Sequence, residues 1–125
     1  MATKINVTID GQSFAAELND SAAAKELLSH LPLQLKLASV PGYAEKVAEL
    51  PAAYDTTGMD YAEDLKAGDL AYWKPKEAPN QRLVLYAGDA GHWDGIFVVG
   101  HFTTGGYEDL LNSDRSDLTA KISRV

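Results

Sequence analysis

Residues 4–18, KINVTIDGQSFAAEL, hold the strongest local signal in the chain. Ile5, Val7 and Ile9 alternate with polar residues, and Phe14, Ala16 and Leu18 do the same on a second arm. A period of two places each set on one face of a strand. Asp10-Gly11, between the arms, accepts the positive φ angles of a type I′ turn, so the stretch reads as a β-hairpin.

Downstream of the hairpin, NDSAAAKELLSHLP (residues 19–32) reads as a helix. Asn19, Asp20 and Ser21 offer capping oxygens, alanines follow as strong helix formers, and Pro32 marks the stop. Ala24, Leu27, Leu28 and Leu31 lie near one face, and His30 falls in the last turn, where it caps the C-terminus. PLQLKLAS (32–39) returns to period two, with Leu33, Leu35 and Leu37 together. Tyr43, Val47 and Leu50 then fall at helical spacing, punctuated by Pro41, Gly42 and Pro51. DTTGMDYAEDLKAGD (55–69) reads as a long surface excursion, of the kind that lines a site or simply meets solvent.

The second half is strand-rich. LAYW (70–73), RLVLY (82–86) and IFVVGHF (96–102) are apolar at nearly every position, so both faces are expected to be covered. YEDLLN (107–112) reads as a short helix after Gly105-Gly106, and DLTAKISRV (117–125) alternates through Leu118, Ala120 and Ile122. Many short antiparallel strands with two helices predict a mainly β fold: a closed antiparallel barrel capped by two short helices, in a single domain spanning 1–125. Closure also removes exposed strand edges.

Composition narrows the function classes. Hydrophobic residues make up 46% and charged residues 23%, which suits a globular chain. Eleven basic against eighteen acidic residues give a net charge of −7, which argues against nucleic-acid binding and against docking on an anionic membrane. The chain has no cysteine, so disulfides, thiolate catalysis and cysteine-bearing zinc sites are excluded. MATKINVTID alternates in polarity from the start with no apolar run, and a cytoplasmic address is the expectation.

INVTIDGQSFAAELNDSAAAKELLSHL (5–31) resembles the opening of cyclophilins. GHWDGIFVVGHFTTGGYEDLL (91–111) resembles their closing segment: a Trp, an Asp-Gly turn, a Val-Val-x-Gly strand and a Gly-led short helix. APNQRLVLY (78–86) sits where cyclophilins carry a Pro-Asn loop leading into a barrel strand, and GDLAYWKP (68–75) is similar to a motif of small bacterial cyclophilin-like proteins. The resemblance implies a cyclophilin-like barrel with Trp93 where the Trp bordering the proline pocket stands.

The isomerase block does not follow. Cyclophilins use a Phe-His-Arg segment and a Gln-Gly-Gly-Asp segment, whose arginine weakens amide resonance in the prolyl bond. From LQLKLASVPGY onward the corresponding region has neither segment and no arginine. Phe97 stands in place of the pocket histidine, and Leu83 to Leu85 in place of a Phe-Phe pair. The resemblance therefore implies a non-isomerase module that binds a small molecule or peptide segment in a groove beside Trp93, with Arg82, Phe97 and Tyr72 as the other candidate residues. No cofactor is implied. Two alternatives stay open. In one, the chain is a divergent prolyl isomerase using Arg82, which opens a strand after KPKEAPNQ and either reaches the groove or stays in solvent. In the other, it is an accessory domain docking on a flavodoxin-like redox partner.

Other polar residues carry less. Asp89, His92 and Asp94 lie close together in DAGHWD, but no second ligand pair at metal spacing accompanies them, so no metal site is assigned. His101, in an apolar strand, is expected to face inward as a structural histidine. Tyr72, Trp73, Tyr86, Trp93, Phe97 and Tyr107 either line an apolar concavity or fill the core. Arg115 and Arg124 lie in a polar turn and near the C-terminus, and Ser13, Ser29 and Ser39 have no nucleophile context.

Overall fold

The hairpin forms as its pattern dictates. β1 (Thr3–Ile9) pairs antiparallel with β2 (Gln12–Leu18), and Asp10 and Gly11 take φ of 52° and 77° between them. A computed structural model describes residues 2–40, 42–74 and 81–125. The Pro-Asn part of the loop before Arg82 lies outside those residues. α1 (Ala22–Ser29) follows, its first turn capped by Ser21 Oγ, which accepts from the Ala24 amide. Ala23, Ala24 and Leu27 are buried in the main core.

The remaining strands are β3 (Leu33–Lys36), β4 (Ala38–Ser39), β5 (Glu45–Glu49), β6 (Asp69–Trp73), β7 (Arg82–Tyr86), β8 (Ile96–Phe102) and β9 (Thr119–Arg124), with α2 (Glu108–Asn112) between the last two. Their spatial order is β3-β9-β1-β2-β8-β6-β7-β5-β4, antiparallel throughout. The two end strands, β3 and β4, are separated in sequence by Leu37 alone. One kinked segment thus pairs with β9 through its first half and with β5 through its second, joining the sheet's ends into a nearly closed barrel.

The interior is filled by alternate residues of every wall: Ile5, Val7 and Ile9 from β1, Leu35 from β3, Leu83 and Leu85 from β7, and Ala120 and Ile122 from β9. A second apolar cluster covers the opposite face of β5 to β8, built from Val47, Ala71, Val84, Tyr86 and Ile96 with Ala62 and Leu65. That second layer is why these strands lack polar alternation.

Three expectations change. Residues 45–49 form strand β5, and the spacing of Tyr43, Val47 and Leu50 does not mark a helix. Val47 packs outside the wall and Leu50 inside, so both faces carry apolar residues and the strand period is masked. Residues 55–68 hold no helix or strand, yet they are fastened to the wall. Ala62 N donates to Ile96 O at 2.7 Å, Leu65 N to Gly91 O at 2.8 Å, and Leu65 is fully buried. His101 is exposed and does not face inward. The register slips between Leu70 and Ala71, where Leu70 pairs with Gly100 but Ala71 pairs with Val98. Val99 is therefore an extra residue, and the bulge moves the inward set from Phe97 and Val99 to Phe102. At the neck of that bulge, a Cβ on Gly100 would lie 2.2 Å from Glu17 O, so only glycine lets β8 approach β2.

Among the described residues Lys46 is the fully buried charged side chain. Its side chain points to the end closed by α2, where Nζ donates to Ser39 Oγ and to Ser113 O at the helix C-cap, with Arg115 O 3.5 Å away. Carbonyls left over at a helix end thus receive a cationic donor. Among the described residues no helix is long and apolar enough to cross a membrane.

Candidate functional site

The four candidate residues divide between the two faces of the barrel wall. Tyr72 and Phe97 pair across β6 and β8 and belong to the interior core, 0% and 6% exposed. Tyr72 Oη accepts the Tyr54 amide at 2.9 Å, and its ring stacks on Tyr54 at 5.2 Å. Tyr61 covers Phe97 at 5.3 Å. Trp93 and Arg82 are on the other face. Trp93 is 45% exposed, and its indole N–H donates to Ala90 O at 2.9 Å, which fixes the ring. The Arg82 guanidinium lies 5.0 Å from the ring centre of Trp73. Among the described residues, Trp93 and Arg82 line separate depressions, and Phe97 lines neither.

What Trp93 does border is a cavity of ≈ 200 Å³ on the outside of the wall, lined by Val40, Tyr43, Glu45, Trp73, Tyr86, Trp93 and Ile96. Strand pairing builds its floor. Glu45 lies opposite Tyr86 across β5 and β7, and Trp73 lies opposite both Arg82 and Ile96. Ala44 O accepts the amides of Ala87 and Gly88 at 2.8 and 3.2 Å, holding the approach to β5 against the end of β7. The Tyr43 and Trp93 rings meet edge to face at 6.2 Å and form the exposed lip. Trp73 lines this cavity and a neighbouring groove alike, and Arg82 lines the groove.

Among the described residues Glu45 is the one carboxylate in this aromatic setting, and it is half-buried. Burial raises its pKa above the usual carboxylate value. Among the described residues no donor or cation offsets that burial. Tyr86, fully buried beside it, is pushed up by its own burial first and by the Glu45 charge second. The cavity thus offers four ring systems and one poorly solvated anion, a set suited to binding. Two wider depressions, of ≈ 730 and ≈ 780 Å³, are rimmed by charged side chains: Asp20, Lys25, Glu26 and Asp55 in one, Lys36, Glu49, Arg82 and Asp114 in the other.

Tyr43, Glu45 and Val40 have no counterpart among the sequence-derived candidates. Read as a strand, residues 43, 45, 47 and 49 fall on one face, and that periodicity would have brought Tyr43 and Glu45 forward together. Trp73 and Tyr86 belong to the aromatic set already singled out, while Tyr107 stacks on Phe102 at 4.2 Å, away from the cavity.

The remaining polar candidates have structural partners. His92 Nδ1 donates to Ala62 O at 2.8 Å, and Nε2 lies 3.0 Å from Asp94 Oδ1. Asp89 Oδ1 accepts the Ala67 amide at 3.0 Å. No group of three metal-ligating side chains gathers among the described residues. His30 occupies the C-cap of α1 and stacks on Tyr54 at 5.6 Å. Arg115 clamps Asp10 and Asp117 at 2.7 and 3.0 Å, and Arg124 donates to Leu28 O at 3.0 Å.

The barrel, its Trp-bearing turn before β8 and the closing helix fit the resemblance read from the sequence. No curated protein matches the chain. The model of the cyclophilin-like family matches residues 7–123, and the chain belongs to that family.

Proposed function

We propose that the protein is a binding module that takes a small ligand in the cavity beside Trp93. One observation carries this: an aromatic-walled cavity of ≈ 200 Å³ opens on the outside of a barrel whose interior is packed with side chains. An apolar concavity with a few placed polar groups is the usual form of a small-molecule site. Its size suits a group of modest bulk, since benzene fills an engineered cavity of roughly 150 Å³. Binding without isomerisation is favoured because no guanidinium lines the cavity among the described residues: Arg82 belongs to the neighbouring groove, 5.0 Å from the ring centre of Trp73.

The test is a screen of small metabolites and short Pro-containing peptides, read by thermal shift and by tryptophan fluorescence. Ligands of the site raise Tm and perturb fluorescence, and Trp93→Ala abolishes both responses. Ligands that bind Trp93→Ala with unchanged affinity overturn the assignment of the cavity. Protease-coupled turnover of a Pro-containing peptide, reduced by Arg82→Ala, overturns the non-catalytic reading.

A further inference from the structure

We infer that the cavity ligand is an organic ammonium, held by Glu45 within the rings of Tyr43, Trp73, Tyr86 and Trp93. This rests on the cavity being a binding site and adds the charge of its occupant.

Each alternative occupant meets an electrostatic cost. A neutral apolar group that fills the cavity strips water from the Glu45 carboxylate and gives it no partner, which is unfavourable for a buried anion. An anion adds repulsion in a setting of low polarity, on a chain whose net charge is already −7. A cation reverses both effects. It pairs with the carboxylate, and its alkyl surface lies on ring faces that carry negative potential. Burial already holds the Glu45 carboxyl above its usual pKa with no offsetting partner among the described residues, consistent with a carboxylate that lacks its counter-charge.

The rings are arranged for such a guest. Tyr86 is fully buried at the floor, whereas Tyr43 and Trp93 are 53% and 45% exposed at the lip. The bond from Trp93 Nε1 to Ala90 O leaves the indole no free donor, so its contribution to a ligand is its π surface. Trp73 already accepts one cation, Arg82, in the adjoining groove. Alkylation suits the setting because a methylated ammonium has fewer N–H donors to satisfy, and this cavity offers one anionic acceptor.

Three probes of one shape test the inference: choline, dimethylbutanol with a tert-butyl group in place of trimethylammonium, and the anionic dimethylbutyrate. Their affinities are read by titrating tryptophan fluorescence and ligand-observed NMR on the full chain. Choline is expected to bind in the millimolar range, about tenfold tighter than the neutral probe, with the anion weakest. Glu45→Gln brings the ratio of choline to neutral affinity down toward one. Tyr43→Leu at the exposed lip keeps apolar area but removes a ring face, and it lowers the same ratio by a smaller factor. If dimethylbutanol binds as tightly as choline, and Trp93→Ala abolishes that binding, the ammonium inference is overturned and the cavity assignment stands. Preference for dimethylbutyrate also overturns the ammonium inference. If none of the three binds at millimolar concentration, both fall.

Discussion

Tyr54 and Tyr72 are stacked, both buried, and each carries one hydroxyl, yet removing that oxygen should have opposite effects on stability at the two positions. Tyr72 Oη accepts the amide N–H of Tyr54 at 2.9 Å. Tyr72→Phe removes the acceptor and leaves a buried backbone donor without it, which costs about 2 kcal/mol. Tyr54 Oη is buried with no partner among the described residues, and burial, with the charge of Glu26 behind it, pushes its pKa up to about 12. Tyr54→Phe relieves that hydroxyl of its desolvation while keeping the ring, a gain of about 1 kcal/mol. For a chain of this length 1 kcal/mol corresponds to about 4 °C in Tm, so the two variants should lie about 12 °C apart with the wild type between them. Calorimetry and urea unfolding followed by fluorescence measure the pair, and unchanged far-ultraviolet dichroism shows the fold intact. Equal losses in the two variants, or a larger loss for Tyr54→Phe, would refute the assignment of donor and acceptor.

Three further outcomes follow from single contacts. Gly100→Ala drives a methyl group into Glu17 O and should cost about 3 kcal/mol or more, and a Tm within about 2 °C of wild type would contradict so close an approach of β8 to β2. Lys46→Met keeps length but strips Ser113 O and Arg115 O of their cationic donor, for a loss of about 2 kcal/mol, whereas a rise in Tm would mean that burying the ammonium costs more than its bonds return. Hydrogen bonding to Arg115 holds the Asp10 and Asp117 carboxyls below their usual pKa, so their contribution is complete above the unfolded value of about 4 and is lost as pH falls through the lower folded values. Urea midpoints taken from about pH 6 to about pH 2 should therefore fall less steeply in Arg115→Leu than in the wild type, and parallel curves would show that the clamp contributes nothing.

What the sequence makes legible is set by how local each signal is. Strands β1 and β2 and their turn are specified within sixteen residues, by alternation and by Asp10-Gly11, and no distant contact is needed to read them. Strand β5 is obscured because its wall is covered on both sides. Val47 and Leu50 serve different apolar layers, so the spacing that suggests a helix is a by-product of two cores. The orientation of His101 depends on one extra residue at Val99, and a bulge of that kind is set by the partner strand rather than by the residues it displaces. The same two effects govern the site. Trp93 is legible from its turn, and Trp73 from its motif. Glu45 and Tyr43 become visible only when β5 is a strand paired with β7, and Tyr72 and Phe97 fall inside because their strands present alternate residues to alternate faces.

That alternation also separates the core from the cavity. Strand β7 gives Leu83 and Leu85 to the interior and Tyr86 to the cavity, β6 gives Leu70 and Tyr72 inward and Trp73 outward, and β5 separates inward Ala48 from outward Glu45. Interior packing and cavity lining are thus assigned to different side chains of the same strands, adjacent residues on β6 and β7 and positions of opposite parity on β5. Exchange at Tyr43, Glu45 or Trp93 touches few interior contacts, and surface substitutions away from caps and buried networks usually change stability by less than about 0.5 kcal/mol. Side chains of the outer face can therefore be exchanged without repacking the core. Tyr86 and Ile96 are exceptions, since both belong to the outer apolar layer and to the cavity lining. Changes there should weaken binding and stability together, whereas changes at the lip should separate them.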